Sequence, residues 1–152
     1  MSELQELLST ARERLAGIPR ERLGSVREPG RIRRAIGGRA VIAPVADAWH
    51  VGVLLIGDDA LWRTGSVLRA SEEVRRGYAA ESQRERAAIR GMAFRGGFAE
   101  GETFHYDWAP VEGPDDAPLT RDGERIMIRW SPAGFLMPLG DYLDEQVGLL
   151  AG

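Results

Sequence analysis

The sequence predicts an α+β protein with a mainly antiparallel sheet of about five to six strands. A long central helix is expected to pack on one face of that sheet, with shorter helices at both termini. Three observations carry this. Apolar residues recur at helical spacing near the start, the middle and the end of the chain. Between them lie short alternating runs joined by tight turns, which favour antiparallel neighbours. No internal repeat competes with that order. Closure of the sheet into a half-barrel around a pocket is the alternative architecture.

The first helix starts from a capping box, Ser2 followed three residues later by Gln5. Leu4, Leu7, Leu8, Ala11 and Leu15 then mark one face, and the helix is expected to end near Gly17. Pro19 breaks the chain beyond it, and Pro29-Gly30 turns it again. Residues 20–39 are rich in Arg with scattered Leu23, Val26, Ile32 and Ile36, and read as a solvated connector. Arg31-Ile32-Arg33-Arg34 is an anion contact on paper, a weak signal because short basic runs are common. Residues 1–39 are thus expected as helix plus connector, and residues 40–152 as the α+β domain, the whole forming one compact domain.

Strands are expected at Ala40–Ala46, where Pro44 hints at an edge or a bend, and at Trp49–Ile56, apolar on both alternating sets. Gly57-Asp58-Asp59 turns the chain into Ala60–Arg69, with Gly65 as a bulge. Ser71–Gly97 reads as the central helix, capped by Ser71, with Glu72 and Glu73 in its first turn and Gly96-Gly97 as its stop. Glu102–Trp108 alternates, Phe104, Tyr106 and Trp108 lining one side and Thr103, His105 and Asp107 the other. Asp122-Gly123 is a hairpin turn leading into Glu124–Trp130. Leu139–Leu150 closes the chain as a helix with Leu139, Leu143, Val147 and Leu150 aligned.

The central helix carries the most informative irregularity. A rotation of about 100° per residue puts Val74, Tyr78, Ile89 and Met92 on one stripe, and places Glu81 and Glu85 in the middle of it. A carboxylate removed from water needs a cation, a proton, a metal or several hydrogen bonds. Arg63, Arg69, His50 and His105 are the strand residues expected to answer. A buried Glu–Arg network that docks helix on sheet is the favoured reading, and two solvated carboxylates the next. A metal site or a polar pocket with a raised-pKa carboxylate is the minority reading. The ligand-binding residues expected on this basis are Glu81, Glu85, Arg63, Arg69 and His105.

Composition removes several chemistries. The 152 residues include no Cys, so thiolate metal sites and Cys nucleophiles are excluded. The absence of Lys removes Schiff-base and phosphate-loop Lys chemistry. Lys and Asn are both missing, which fits a GC-rich, bacterial source. His105 and Asp107 share a strand side, but an exposed polar face produces the same letters. No Gly-x-Ser-x-Gly elbow or dinucleotide fingerprint is present, and no catalytic residue, cofactor or metal is assigned.

Charge is uneven: residues 1–39 carry nine Arg and five acids, and residues 96–152 carry three Arg and eleven acids. With the chain at −3 overall, nucleic acid is disfavoured as a partner. The N-terminal periodicity is interrupted by Glu and Arg, so neither a signal peptide nor a membrane partner is expected there, and the location expected is cytoplasmic. The function expected is binding of a small polar or anionic ligand, or of a protein partner, with a homodimer among the expected assemblies. The alternatives are a small enzyme that uses Glu81 and Glu85 as acid–base or metal-ligand carboxylates, and a structural homo-oligomer without a ligand.

Overall fold

The computed structural model describes residues 2–73 and 80–152. The first half of the chain forms α1 (Glu3–Leu15), β1 (Glu21–Arg27), α2 (Arg31–Ala35), β2 (Val41–Val51), β3 (Leu54–Ile56), β4 (Leu61–Arg63) and β5 (Ser66–Arg69). The second half forms α3 (Glu81–Gly96), β6 (Thr103–Tyr106), β7 (Ala109–Pro110), β8 (Leu119–Asp122), β9 (Arg125–Arg129), β10 (Leu136–Pro138) and α4 (Leu139–Ala151). Among the described residues, no helix is long and apolar enough to cross a membrane.

The α+β class stands, but the expected sheet and central helix do not. Seven strands hydrogen-bond in the order β5-β6-β1-β2-β3-β4-β7, and β8, β9 and β10 make a separate antiparallel sheet. The seven-stranded sheet is mixed, because β1 runs parallel to β6 with Arg22 opposite Phe104 and Leu23 opposite His105. The strand that changes the topology lies in the Arg-rich stretch expected to be a connector. Its apolar content is too thin to betray it: Leu23 and Gly24 are buried, while Val26 and Arg27 face water. Gly24 suits this position because a Cβ there would run into the Ile42 side chain.

The expected helix Ser71–Gly97 is shorter at its start. Helix α3 begins at Glu81, and Ser71–Glu73 are not helical. Their backbone donors are engaged elsewhere: Ser71 N donates to Arg90 O at 3.3 Å and Glu72 N to a Glu100 carboxylate oxygen at 2.8 Å. Val74, Arg75, Arg76 and Tyr78, which the sequence assigns to this helix, lie outside the described residues. The expected strand Ala60–Arg69 breaks at Thr64-Gly65 into β4 and β5. Conversely, β2 runs on from Val41 through Pro44 and Asp47 to Val51, while the expected strand Trp49–Ile56 folds back after Val51, its second half forming β3 with Ile56 opposite Trp49.

Contacts divide the chain into two compact units. One comprises Met1–Arg20, Ala48–Thr64 and Trp108–Gly152. Its core joins the α1 stripe Leu4, Leu8, Ala11 and Leu15 to Leu139, Tyr142, Leu143 and Val147 of α4. Trp49, Val51, Leu54 and Ile56 from the β2–β3 hairpin complete it, with Ile126 and Ile128 of β9. The hairpin turns through Gly52, whose φ of 62° favours glycine. Val53 N, just beyond, donates to the Tyr142 hydroxyl at 2.8 Å.

The other unit comprises Glu21–Asp47 and Gly65–Asp107. Ile42, Ala70, Ala93, Phe98 and Phe104 form its core, flanked by Leu68, Ile89, Met92 and Tyr106. Helix α3 approaches β2 closely at its end, where a Cβ on Gly96 would overlap the Ile42 carbonyl oxygen. Gly97 then leaves the helix at φ 121°.

Candidate functional site

The expected site residues do not form one constellation. Glu81 is the first residue of α3, and both it and Glu85 are exposed, without an ion pair among the described residues. The inward-facing carboxylates expected from the helical stripe therefore point to water. That stripe presupposes a helix running from Ser71, and α3 starts ten residues later. Arg69 is exposed on β5, and its carbonyl oxygen accepts from Arg90 Nε at 2.7 Å. Arg63 belongs to the other unit, is exposed on β4, and donates to the carbonyl oxygen of Thr64 at 3.3 Å.

His105 is the exception: its side chain is fully buried, and Nε2 lies 2.9 Å from Glu21 Oε1. The parallel pairing of β1 with β6 brings the two together, a juxtaposition that local spacing does not show. A carboxylate in hydrogen-bond contact fixes the imidazole's orientation.

One residue along β1, Arg22 meets Glu102 in a two-point contact, Nε to Oε2 at 2.6 Å and Nη2 to Oε1 at 2.7 Å. The Arg22 hydrogen bonds hold the Glu102 carboxyl below the usual carboxylate range, opposing the effect of burial, and the same bonds raise Arg22. Ala99 N adds a third donor to Glu102 at 3.0 Å. The Arg22 guanidinium also lies 4.9 Å from the centre of the Phe98 ring. These groups are fully engaged with one another and lock the loop after α3.

A different cluster in the same unit has chemistry to spare. A recess of about 480 Å3 lies where the end of β1, α2 and the turn after it meet the last turns of α3. Arg27, Arg33, Arg39 and Arg95 line it, with Glu28 as its one acid. Pro29-Gly30 breaks β1 away from the sheet, and Arg34 N bonds Gly30 O at 2.9 Å to start α2. The helix is stopped at once: Gly37 takes φ 89°, and Gly38 N bonds back to Arg33 O at 2.6 Å. A side chain at Gly38 would press on that same carbonyl group.

The charges around the recess are unevenly answered. Arg95 pairs with Glu73 at 3.1 Å, and Glu28 pairs with Arg34 at 3.5 Å. Among the described residues, no carboxylate engages Arg27, Arg33 or Arg39. Three solvated guanidiniums around one recess repel each other and attract anions. Arg33 belongs to the basic run that reads as an anion contact in the sequence. Sequence reasoning misses Arg27, Arg39 and Arg95; the density of Arg in residues 20–39 is the only signal for the first two, and Arg95 has none.

The first unit has a larger recess, about 740 Å3, between α1 and the 110–114 segment. Its cation, Arg12, is already engaged with the carbonyl oxygens of Gly57 at 2.7 Å and Ala60 at 3.4 Å. Among the described residues, that recess therefore presents no uncommitted cation.

No protein-family model, no curated protein sequence and no solved structure matches the chain.

Proposed function

We propose that this protein acts by binding, and that an anionic ligand is taken at the recess lined by Arg27, Arg33, Arg39 and Arg95. The single observation behind this reading is three guanidiniums without a carboxylate partner among the described residues, around a recess of about 480 Å3. Guanidinium groups bond carboxylates and phosphates in a planar, two-point fashion that also selects for geometry. The rest of the chain favours the same outcome. Its net charge is −3, so anions are repelled elsewhere and drawn to this basic region.

Titration of the full chain with pyrophosphate and with citrate, followed by calorimetry, tests the reading. Replacing Arg33 and Arg39 by Gln is expected to weaken binding by about tenfold or more, since a hydrogen bond to a charged group contributes roughly 1.5–3 kcal/mol. Affinity should also fall with added salt. Binding that survives both substitutions unchanged would place the anion elsewhere and refute the assignment.

A further inference from the structure

Helix α2 buries none of its residues, and Ile32 within it and Ile36 at its C-cap are each 80% exposed. They stand one helical turn apart, so they share a side, within roughly 6 Å of each other. Single exposed aliphatics are ordinary on protein surfaces. Two nearly bare isoleucines on one turn, set among guanidiniums, are a more specific arrangement. Residues 27–39 carry Arg27, Arg31, Arg33, Arg34 and Arg39 against Glu28 alone, five minus one, or +4 in a chain of −3.

We infer that the occupant of this surface is an acidic, leucine-type aliphatic segment of a protein partner, with Ile32 and Ile36 as its apolar anchor and the Arg-lined recess as its anion clamp. This rests on the anion-binding reading above. Charge complementarity sets the sign of the partner, and the isoleucine pair sets its second requirement. A small anion satisfies the arginines but offers no apolar surface to Ile36, which also lines the recess, and leaves Ile32 in water. Nucleic acid offers phosphates, which isoleucine does not contact. A lipid surface is matched by helices that present an aromatic and leucine face over many residues, whereas α2 spans 5 residues with one aliphatic pair and no aromatic. Acidic helices with aliphatic anchors at one-turn spacing meet both requirements.

Fluorescence anisotropy with the full chain tests this, using two labelled synthetic helical peptides of equal negative charge. One carries Glu with Leu at one-turn spacing, and the other has Ala at every Leu position. The Leu peptide is expected to bind about tenfold tighter than the Ala peptide. Ile32→Ser with Ile36→Ser should erase that difference and leave the Ala peptide unaffected, because both side chains are exposed and their loss does not threaten folding. Arg33→Gln with Arg39→Gln should weaken both peptides. Equal affinity for the two peptides with pyrophosphate binding intact would overturn the inference and leave the recess reading standing. Failure of the unsubstituted chain to bind pyrophosphate or either peptide would overturn both. Co-sedimentation with phosphatidylglycerol vesicles that depends on Ile32 and Ile36, with no preference between the peptides, would overturn the inference and assign the surface to lipid instead.

Discussion

Arg22 grips Glu102 at two points, at 2.6 and 2.7 Å, across the parallel seam of β1 and β6. Their carboxylate and guanidinium are side-chain exposed to 24% and 40%, so water screens the pair only in part. This contact ties the first strand of its unit to the loop that follows α3.

Acid should therefore weaken the protein through Glu102. Its folded-state pKa is lowered, so its contribution is complete above the ordinary glutamate value of about 4.3 and is lost as pH falls through the lowered value. Urea unfolding at neutral pH and near pH 3 should show Glu102→Gln about 1 kcal/mol less stable than the parent at neutral pH, the scale of a partly exposed pair. At the acid point the difference should be smaller. A constant difference across that range would show that the charge of Glu102 contributes nothing.

Removing the hydroxyl of Tyr142 leaves the Val53 N–H without the acceptor it meets at 2.8 Å. Tyr142→Phe should cost about 1–3 kcal/mol, the penalty of an unsatisfied buried donor. Burial pushes the Tyr142 phenol up, so its contribution is present below the ordinary value of about 10 and is lost as pH rises, the unfolded chain ionising first. Denaturant midpoints measured into the alkaline range should fall more steeply for the parent than for the Phe variant.

Gly96→Ala forces a Cβ against the Ile42 carbonyl oxygen, which is backbone and cannot swing aside. Overpacking of this kind costs about 1–3 kcal/mol. The expected readout is a drop in Tm of about 2–4 °C for each kcal/mol at this chain length. An unchanged Tm would mean that α3 moves away from β2 freely.

Glu81→Gln and Glu85→Gln should each change stability by less than about 0.5 kcal/mol, because both carboxylates are exposed. A loss of several kcal/mol on chemical denaturation would restore the buried ion-pair network expected from the helical stripe.

Local chemistry makes the terminal helices legible. Ser2 accepts from Gln5 N at 3.2 Å, and the apolar stripes of α1 and α4 meet in the core, apart from Leu150, which is exposed. The Asp122-Gly123 turn and β9 are equally plain, with Asp122 opposite Arg125 and Gly123 at φ 62°. What stays hidden depends on partners far along the chain. Leu23 finds His105 only through the fold, and β1 offers little alternation of its own. The stripe through Glu81 and Glu85 misleads because periodicity ignores where Ser71 N and Glu72 N are already bonded. At the recess, the run Arg31–Arg34 is visible, but Arg95 arrives from α3 and no linear pattern links it to Arg27.

The interleaving of the two units has a consequence for biosynthesis. The chain passes from one to the other at 20/21, 47/48, 64/65 and 107/108. Every residue of the unit that carries the basic recess has been made once Asp107 is joined. The unit that begins with α1 must wait for α4, whose Leu143 and Val147 cover the stripe of Leu4, Leu8 and Leu15. During synthesis α1 therefore lacks its α4 contacts until Val147 has been joined. Until then part of the α1 stripe is uncovered, a window in which a nascent-chain chaperone has something to hold.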